Sequence, residues 1–467
     1  MNFIVPLVLF GWFPLVFLIF RELRGYRAAS FCVVAASLYL PVAKYKFYGI
    51  PDYTKITGTA MAIMAAAIFL ELKTLFRFRP RWFDLPMAVF CFAPLPSGIV
   101  NEQGADHGFS LCLFHVFFWG IPYFIGRVFF TSFESLRTLV SAIFIGTLTY
   151  IPLCLFEIRM SPQIHRYVYG FRPGTWNAKR YGGFRPSCFM DDTLELGLWM
   201  TGATLMGYCL WRCKIRDKIL GIDIRWLLAI VFVTTALCKC AGAFLLLVAG
   251  VLIFSTIRTI RSPLPILAMA IVPILYIGVR ATNTYDGRHA VSLATRLINE
   301  ERGSSLQFRL DNEDLLVEKA LRSPIYGWGG NGRNRIYNEN GEDVTIVDGF
   351  WIMALGNFGF LGLVSIYCAF LFAPVLAVFR FYGKKWKMED SGPVIALSIL
   401  VLIYSIDCLL NAMPNLIYPL SLGAVSTVLG TRRRKLLPNE YANRNNVGTI
   451  HRKMWPPGKK IQQPVTA

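Results

Sequence analysis

Six basic side chains crowd one stretch between two long apolar runs: Arg159, Arg166, Arg172, Lys179, Arg180 and Arg185, all within residues 158–187. A guanidinium can hold two phosphate oxygens at once, so such a cluster suits an anionic partner; the alternative is a packing role. Lys239 adds a point charge in Cys238-Lys-Cys240, between two further apolar runs. Those cysteines have neither CxxC spacing nor nearby histidines, which argues against a metal site. A second region, 281–348, holds Arg309, Tyr326, Trp328, Arg333 and Asp348. Its string Tyr326-Gly-Trp-Gly-Gly-Asn-Gly-Arg333 is glycine-rich. No strand precedes the string and no helix pattern opens from it, so dinucleotide and P-loop readings fail. It reads either as a structural turn or as a glycine-lined floor for a carbohydrate, with Tyr326 and Trp328 offering apolar faces and Arg333 close by. Asp191, Asp192 and Glu195 open the apolar run after the basic loop, where carboxylates suit a helix N-terminus and are placed to pair with Arg180 or Arg185. Asp407 lies inside an apolar run, with Asn411, Ser405 or backbone groups as available partners.

The elements that position these groups are membrane helices. The chain has 467 residues, 55% hydrophobic and 15% aromatic but only 16% charged, with a mean hydropathy of +0.48. Soluble domains carry about 25% charge, and apolar runs of about 20 residues match a hydrocarbon core about 30 Å thick. The expected fold is all-α: a polytopic integral membrane protein of about 12–13 transmembrane helices. The spans are 3–20, 28–43, 58–72, 85–100, 109–130, 138–157, 191–210, 220–237, 241–257, 264–280, 349–379, 392–411 and 415–430. The first has no basic leader and no small-residue cleavage site, so it reads as a span rather than a removed signal peptide. The cysteines, 11 in all, fall mostly inside apolar runs and behave as small hydrophobes.

The net charge of +20 belongs to membrane anchoring, with lipids as partners and no nucleic acid. Arg21 to Arg27, Lys73 to Arg81, Arg127 with Arg137, Arg212 to Lys218, Arg258 with Arg261, Arg380 to Lys387 and the tail from Arg432 all alternate onto one side. The positive-inside rule makes that side cytoplasmic. Loop 158–187, Lys239 and loop 281–348 then face outward. The chain divides into a first helical portion 1–280, an outer segment 281–348, C-terminal helices 349–430 and a basic, disordered tail 431–467. Within the outer segment, Ser304-Ser305 and Asp311 offer helix starts before an amphipathic run, Asp314–Arg322, which Pro324 stops. His289 reads as surface. No internal repeat suggests a transporter built from inverted halves.

Three stretches in fixed order resemble the membrane O-antigen ligases and the O-antigen or exopolysaccharide polymerases of bacteria. They are Arg180-Tyr-Gly-Gly-Phe-Arg-Pro186; Thr235-Ala-Leu-Cys-Lys-Cys-Ala241; and Arg309 through Ala320-Leu-Arg-Ser-Pro-Ile-Tyr-Gly-Trp-Gly329 to Asp348-Gly-Phe-Trp351 and Gly359-Phe-Leu-Gly362. They cover roughly 180–365, about two-fifths of the chain. The chain departs from the pattern at Cys238, where the family commonly has serine, and at Cys240, where it has glycine. The resemblance implies glycosyl transfer outside the cytoplasmic (inner) membrane. The donor would be an undecaprenyl-pyrophosphate-linked glycan and the acceptor a sugar hydroxyl on a lipid-A core or a growing glycan, with no cofactor or metal. It implies that Arg180, Arg185, Lys239 and Arg309 face the pyrophosphate, whose charge rises as the glycosidic bond breaks. It places Asp348 where other members carry histidine or aspartate, as candidate acceptor base; a helix N-cap is the other role open to it. Tyr326, Trp328 and Arg333 would contact the glycan.

Overall fold

The computed structural model describes residues 2–47, 50–173, 179–282, 287–297, 300–382 and 386–431. The basic tail from Arg432, together with Lys384 and Lys385, lies outside the described residues. The protein is an all-α polytopic membrane protein, and helix occupies most of each apolar run, although 40–43, 220–223 and 408–411 fall outside helix. Seven of the described helices are long and apolar enough to cross a membrane, counting an element continued through a short break as one: Ile4–Leu23, Trp82–Val100, Ala105–Phe129, Phe133–Met160, Ala241–Ile260, Phe350–Phe381 and Met388–Asp407. Lys55–Leu70, Ile224–Leu237, Pro265–Ala281 and Ile417–Gly430 are shorter apolar helices. Helix is the solution because each backbone N–H and C=O in hydrocarbon must find a partner within its own segment. Three two-stranded hairpins are the only described sheets, and they occupy loops.

Packing sorts the loops into two ends. At one, Arg137 binds Asp390 at 2.6 Å, Gly25 N donates to Glu71 at 2.9 Å, and Arg127 forks onto Asp84. At the other, His165 Nε2 accepts from Val42 N, Asn101 reaches the Gly327 carbonyl, and Phe350 N donates to Cys408 and Asn411 carbonyls. Loop 158–187, Lys239 and segment 281–348 share this second end.

Two departures from the sequence expectation shape the site. The helix expected at Asp314–Arg322 is instead Glu300–Leu321, preceded by a separate helix, Arg288–Leu297. Ser304 does not start it: its hydroxyl bonds back to the Glu300 carbonyl, and Glu300 and Glu301 supply the favourable first-turn charge. The second departure is a break inside Phe350–Phe381 at Gly359, with φ 63°. That element's 32 residues would measure about 48 Å if straight.

Candidate functional site

Arg309 and Asp348 meet at the loop-rich end. Arg309 projects from the Glu300–Leu321 helix, and its Nε lies 3.2 Å from Asp348 Oδ2. Its Nη1 donates to the Leu410 carbonyl at 3.0 Å and to Asn411 Oδ1 at 3.2 Å, at the end of the Met388–Asp407 helix. Asn411 in turn donates to Asp407 at 2.9 Å, which settles that carboxylate's partner. Asp348 does not cap the helix behind it, because Gly349 occupies the N-cap and no side chain bonds there. Both partners stay accessible, at 25% for Arg309 and 37% for Asp348. Burial pushes the Asp348 carboxyl above the usual aspartate range, Arg309 pulls it back, and Asp192 pushes it up again.

Asp192 brings in the next element. It caps the Thr193–Arg212 helix by accepting from Leu194 N at 2.8 Å. Directly before that helix runs the basic loop. Its Lys179–Arg180 and Gly183–Phe184 strands pair across Tyr181-Gly182, both at positive φ (49° and 66°), the backbone of a type I′ turn. Lys239, itself at φ 56° between two helices, lies over Gly183 so closely that a Cβ there would collide with its amine. Its Nζ reaches toward the Tyr181 carbonyl at 3.5 Å. Arg185 is buried, with Nη2 on Cys240 Sγ at 2.9 Å, and Cys240 donates to the Thr193 carbonyl at 3.3 Å. Arg180 is half-buried, whereas Arg159, Arg166 and Arg172 are exposed.

Two buried carboxylates fix this framework. Glu157 accepts from Ile164 N at 2.8 Å, Ser187 N at 2.8 Å and Cys188 N at 2.7 Å, so one side chain ties both ends of the basic loop to the Phe133–Met160 helix. Glu195, expected to pair with the loop arginines, engages Lys55 at 3.9 Å and accepts from Asn415 and Asp191 N, both at 2.8 Å. The reason is depth: Glu195 lies on the buried side of its helix, where Lys55 of the Lys55–Leu70 helix is also enclosed.

A third carboxylate holds the loop helix. Glu313, one turn beyond Arg309 and buried, accepts from Tyr276 OH at 2.7 Å, Arg280 Nε at 3.2 Å and Trp351 Nε1 at 3.1 Å. Arg280 also donates to the Leu310 carbonyl at 2.8 Å and pairs with Asp314 at 2.8 Å. Burial raises the Glu313 carboxyl, and its hydrogen-bond donors and Arg280 oppose that rise. This clasp holds the loop helix one turn from Arg309. Sequence reading missed Arg280 and Glu313; the available signal was Glu313 four residues from Arg309, on the same helical face.

The glycine string lies elsewhere. Where Gly359 breaks the helix, Phe360 N and Leu361 N donate to the Pro324 and Ile325 carbonyls at 2.7 and 3.2 Å. Trp328 N and Gly329 N donate to the Gly356 and Asn357 carbonyls at 2.9 and 3.0 Å. A Cβ on Gly327 would collide with the Asn357 backbone, so this glycine permits the contact. Ser97 donates to the Tyr326 carbonyl, Trp328 Nε1 donates to the Lys319 carbonyl at 2.9 Å beneath the Lys319 amine, and Arg333 donates to the Asn101 carbonyl at 3.0 Å. Among the described residues, no hydrogen bond or ion pair joins Tyr326, Trp328 or Arg333 to Arg309 or Asp348. Nor does any group of three or more His, Cys, Asp or Glu side chains among them suit a metal ion.

The site candidates therefore fall into two linked groups and one separate group. Arg309 with Asp348, and Arg180, Arg185 and Lys239, flank the start of one helix at Asp192-Thr193. Tyr326, Trp328 and Arg333 rest on the 97–107 turn. Compared with known proteins, the chain matches no family model, and no curated protein matches it in sequence.

Proposed function

We propose that the protein is a membrane glycosyltransferase of surface-polysaccharide assembly, moving a glycan from a polyprenyl-pyrophosphate donor, of the undecaprenyl type, to a sugar hydroxyl acceptor. The observation that carries this reading is the accessible Arg309–Asp348 pair beside the Asp192 cap, at the end of the bundle that also holds the basic loop. Asp348 takes the acceptor's hydroxyl proton, and its raised proton affinity suits that task. The acceptor oxygen forms a bond to the anomeric carbon as the bond from that carbon to the pyrophosphate oxygen breaks. The electron pair leaves on the pyrophosphate, and the anomeric centre inverts. Arg180 and Lys239 meet the departing charge from the hairpin and the Cys238-Lys-Cys240 turn, while buried Arg185 contributes through its field. Tyr326, Trp328 and Arg333 serve glycan residues farther from the bond that breaks.

In this reading the chain crosses a bacterial inner membrane thirteen times, with its N-terminus and the site outside and its basic clusters in the cytoplasm. The order of motifs along 180–362 supports the assignment to O-antigen ligase or polymerase chemistry.

The test is reconstitution of the purified protein with lipid-linked glycan and candidate acceptors. Wild-type protein forms the transferred product, and folded Asp348→Ala and Arg180→Ala variants do not. Movement of the lipid-linked saccharide across the bilayer with no transfer, under conditions that support a related transferase, sinks the reading in favour of a flippase. Neither transfer nor movement, with the glycan still bound, would leave a nonenzymatic assembly protein.

A further inference from the structure

The Ile224–Leu237 and Ala241–Ile260 helices both pack against Thr193–Arg212, yet they splay from one another below the Lys239 turn. Phe232 and Phe244 touch across the hairpin, with ring centroids 5.6 Å apart. Toward the end that holds Arg127, Arg137 and the 212–218 cluster (the basic end), the three helices line an open cleft of about 420 Å³, bordered by Thr204, Tyr208, Trp211, Leu228, Phe232 and Val251. Its polar walls are already satisfied: Thr204 bonds Thr235 at 2.9 Å, and Tyr208 bonds Ser255 at 2.7 Å. An apolar cleft facing a bilayer holds neither water nor vacuum cheaply, since water there lacks partners and a void forfeits dispersion contacts. A hydrocarbon chain fits both requirements.

The mouth of the cleft specifies the headgroup. Arg225 lines it in the first turn of its helix. In the segment that leads to it, residues 212–224, Arg212, Lys214, Arg216 and Lys218 outnumber Asp217 and Asp223. Trp211 lines the cleft beside Arg225, and exposed Trp226 is the next residue of that helix, a residue type that suits the headgroup level of a membrane. Asp223 forks onto Arg225 at 2.9 and 3.1 Å, holding the guanidinium at the rim. We infer that this cleft is a binding site for one anionic phospholipid of the leaflet at the basic end. One acyl chain lies between the splayed helices, and the phosphate meets Arg225. The inference is independent of the glycosyl-transfer reading, because the cleft lies at the opposite end from Asp348.

Native mass spectrometry of full-length protein in detergent, titrated with phosphatidylglycerol, phosphatidylcholine or a polyprenyl phosphate, tests it. Wild-type protein retains one phosphatidylglycerol. Ala229→Phe fills the cleft and loses that lipid, whereas Leu245→Phe, on an exposed position outside the lining, keeps it. Arg225→Gln lowers the preference for phosphatidylglycerol over phosphatidylcholine about fivefold, the worth of one basic residue at a membrane surface. If Ala229→Phe does not fold, a photoreactive side chain at position 228 gives the second measurement: irradiation attaches phosphatidylglycerol to that position. Equal retention by a folded Ala229→Phe protein, equal affinity for the two phospholipids, displacement by polyprenyl phosphate, or no attachment at position 228 each overturns the proposal.

Discussion

Two arginine–aspartate pairs occupy opposite ends of this bundle, and they differ in everything except residue type. Arg127 grips Asp84 at 2.6 Å through Nε and at 2.9 Å through Nη2, Tyr123 adds a hydrogen bond of 2.5 Å to the same carboxylate, and Thr427 and the Arg79 carbonyl take up other guanidinium contacts. Both side chains are nearly enclosed, at 6% and 12% accessible. Arg309 holds Asp348 by one contact of 3.2 Å, and both groups keep open surface. A charge pair with every donor satisfied is a fixed joint. A pair with one contact and exposed surface is free to trade its partner for a ligand. The Gly126–Gly423 approach beside Arg127, where a Cβ on either residue would strike the other helix, makes that joint tighter still. Satisfaction and access, not residue identity, distinguish the two pairs.

Breaking the enclosed pair should have the largest effect on folding. Arg127→Ala strands a buried carboxylate, which typically costs about 3–5 kcal/mol; thermal unfolding of the purified protein in detergent reads it as a large loss. Breaking the open pair should act on chemistry instead. Asp348→Asn is expected to lower the transfer rate by about 10²–10⁴-fold, with a melting temperature close to wild type. A melting loss matching that of Arg127→Ala would remove the distinction between the pairs.

The clasp behind Arg309 sharpens the comparison at intermediate magnitude. Glu313→Gln weakens the joint that accepts from Tyr276, Arg280 and Trp351, at about 1–3 kcal/mol. Limited proteolysis should then cut faster near residues 300–321 than in wild type, and transfer should fall with it. Unchanged proteolysis beside reduced transfer would make Glu313 a participant in the chemistry.

Smaller again is the pH response of the open pair. In the proposed reaction the base works deprotonated, so transfer should rise with pH through a midpoint above the ordinary aspartate value. Arg309 lowers that midpoint, so Arg309→Gln should shift it upward. Asp192 raises it, so Asp192→Asn, which preserves an N-cap, should shift it downward. A rate profile indifferent to both changes would remove Asp348 as the titrating group. The smallest effects belong to Arg159→Gln and Arg166→Gln on exposed positions of the basic loop, within about 0.5 kcal/mol of wild-type stability, read in the same melting assay.

The helical architecture was legible because its signal is local. Each apolar run states its own length, and Pro324 ends the loop helix region where its missing N–H and ring demand. The candidate site was legible in part. Arg180 and Lys239 stood out as charges between apolar runs, and Arg309 and Asp348 as members of the motif order that carries the resemblance, but nothing local announced that Arg309 would find Asp348. Glu195 illustrates the limit: its nearest basic neighbours in sequence are Arg180 and Arg185, yet it pairs with Lys55, 140 positions earlier. Glu157 looked like the end of a span and proved to be the anchor for both ends of the basic loop.

By itself, the sequence determined that this chain is a bundle of helices for a bilayer, because hydrocarbon leaves unpaired backbone no other refuge. Tertiary structure alone decided which charges are locked and which are open. Arg185 is enclosed by Cys240, Glu313 is enclosed by Trp351, and Arg309 with Asp348 is left accessible. Those outcomes depend on the packing of segments tens to hundreds of residues apart, and access to a ligand is a property of that packing.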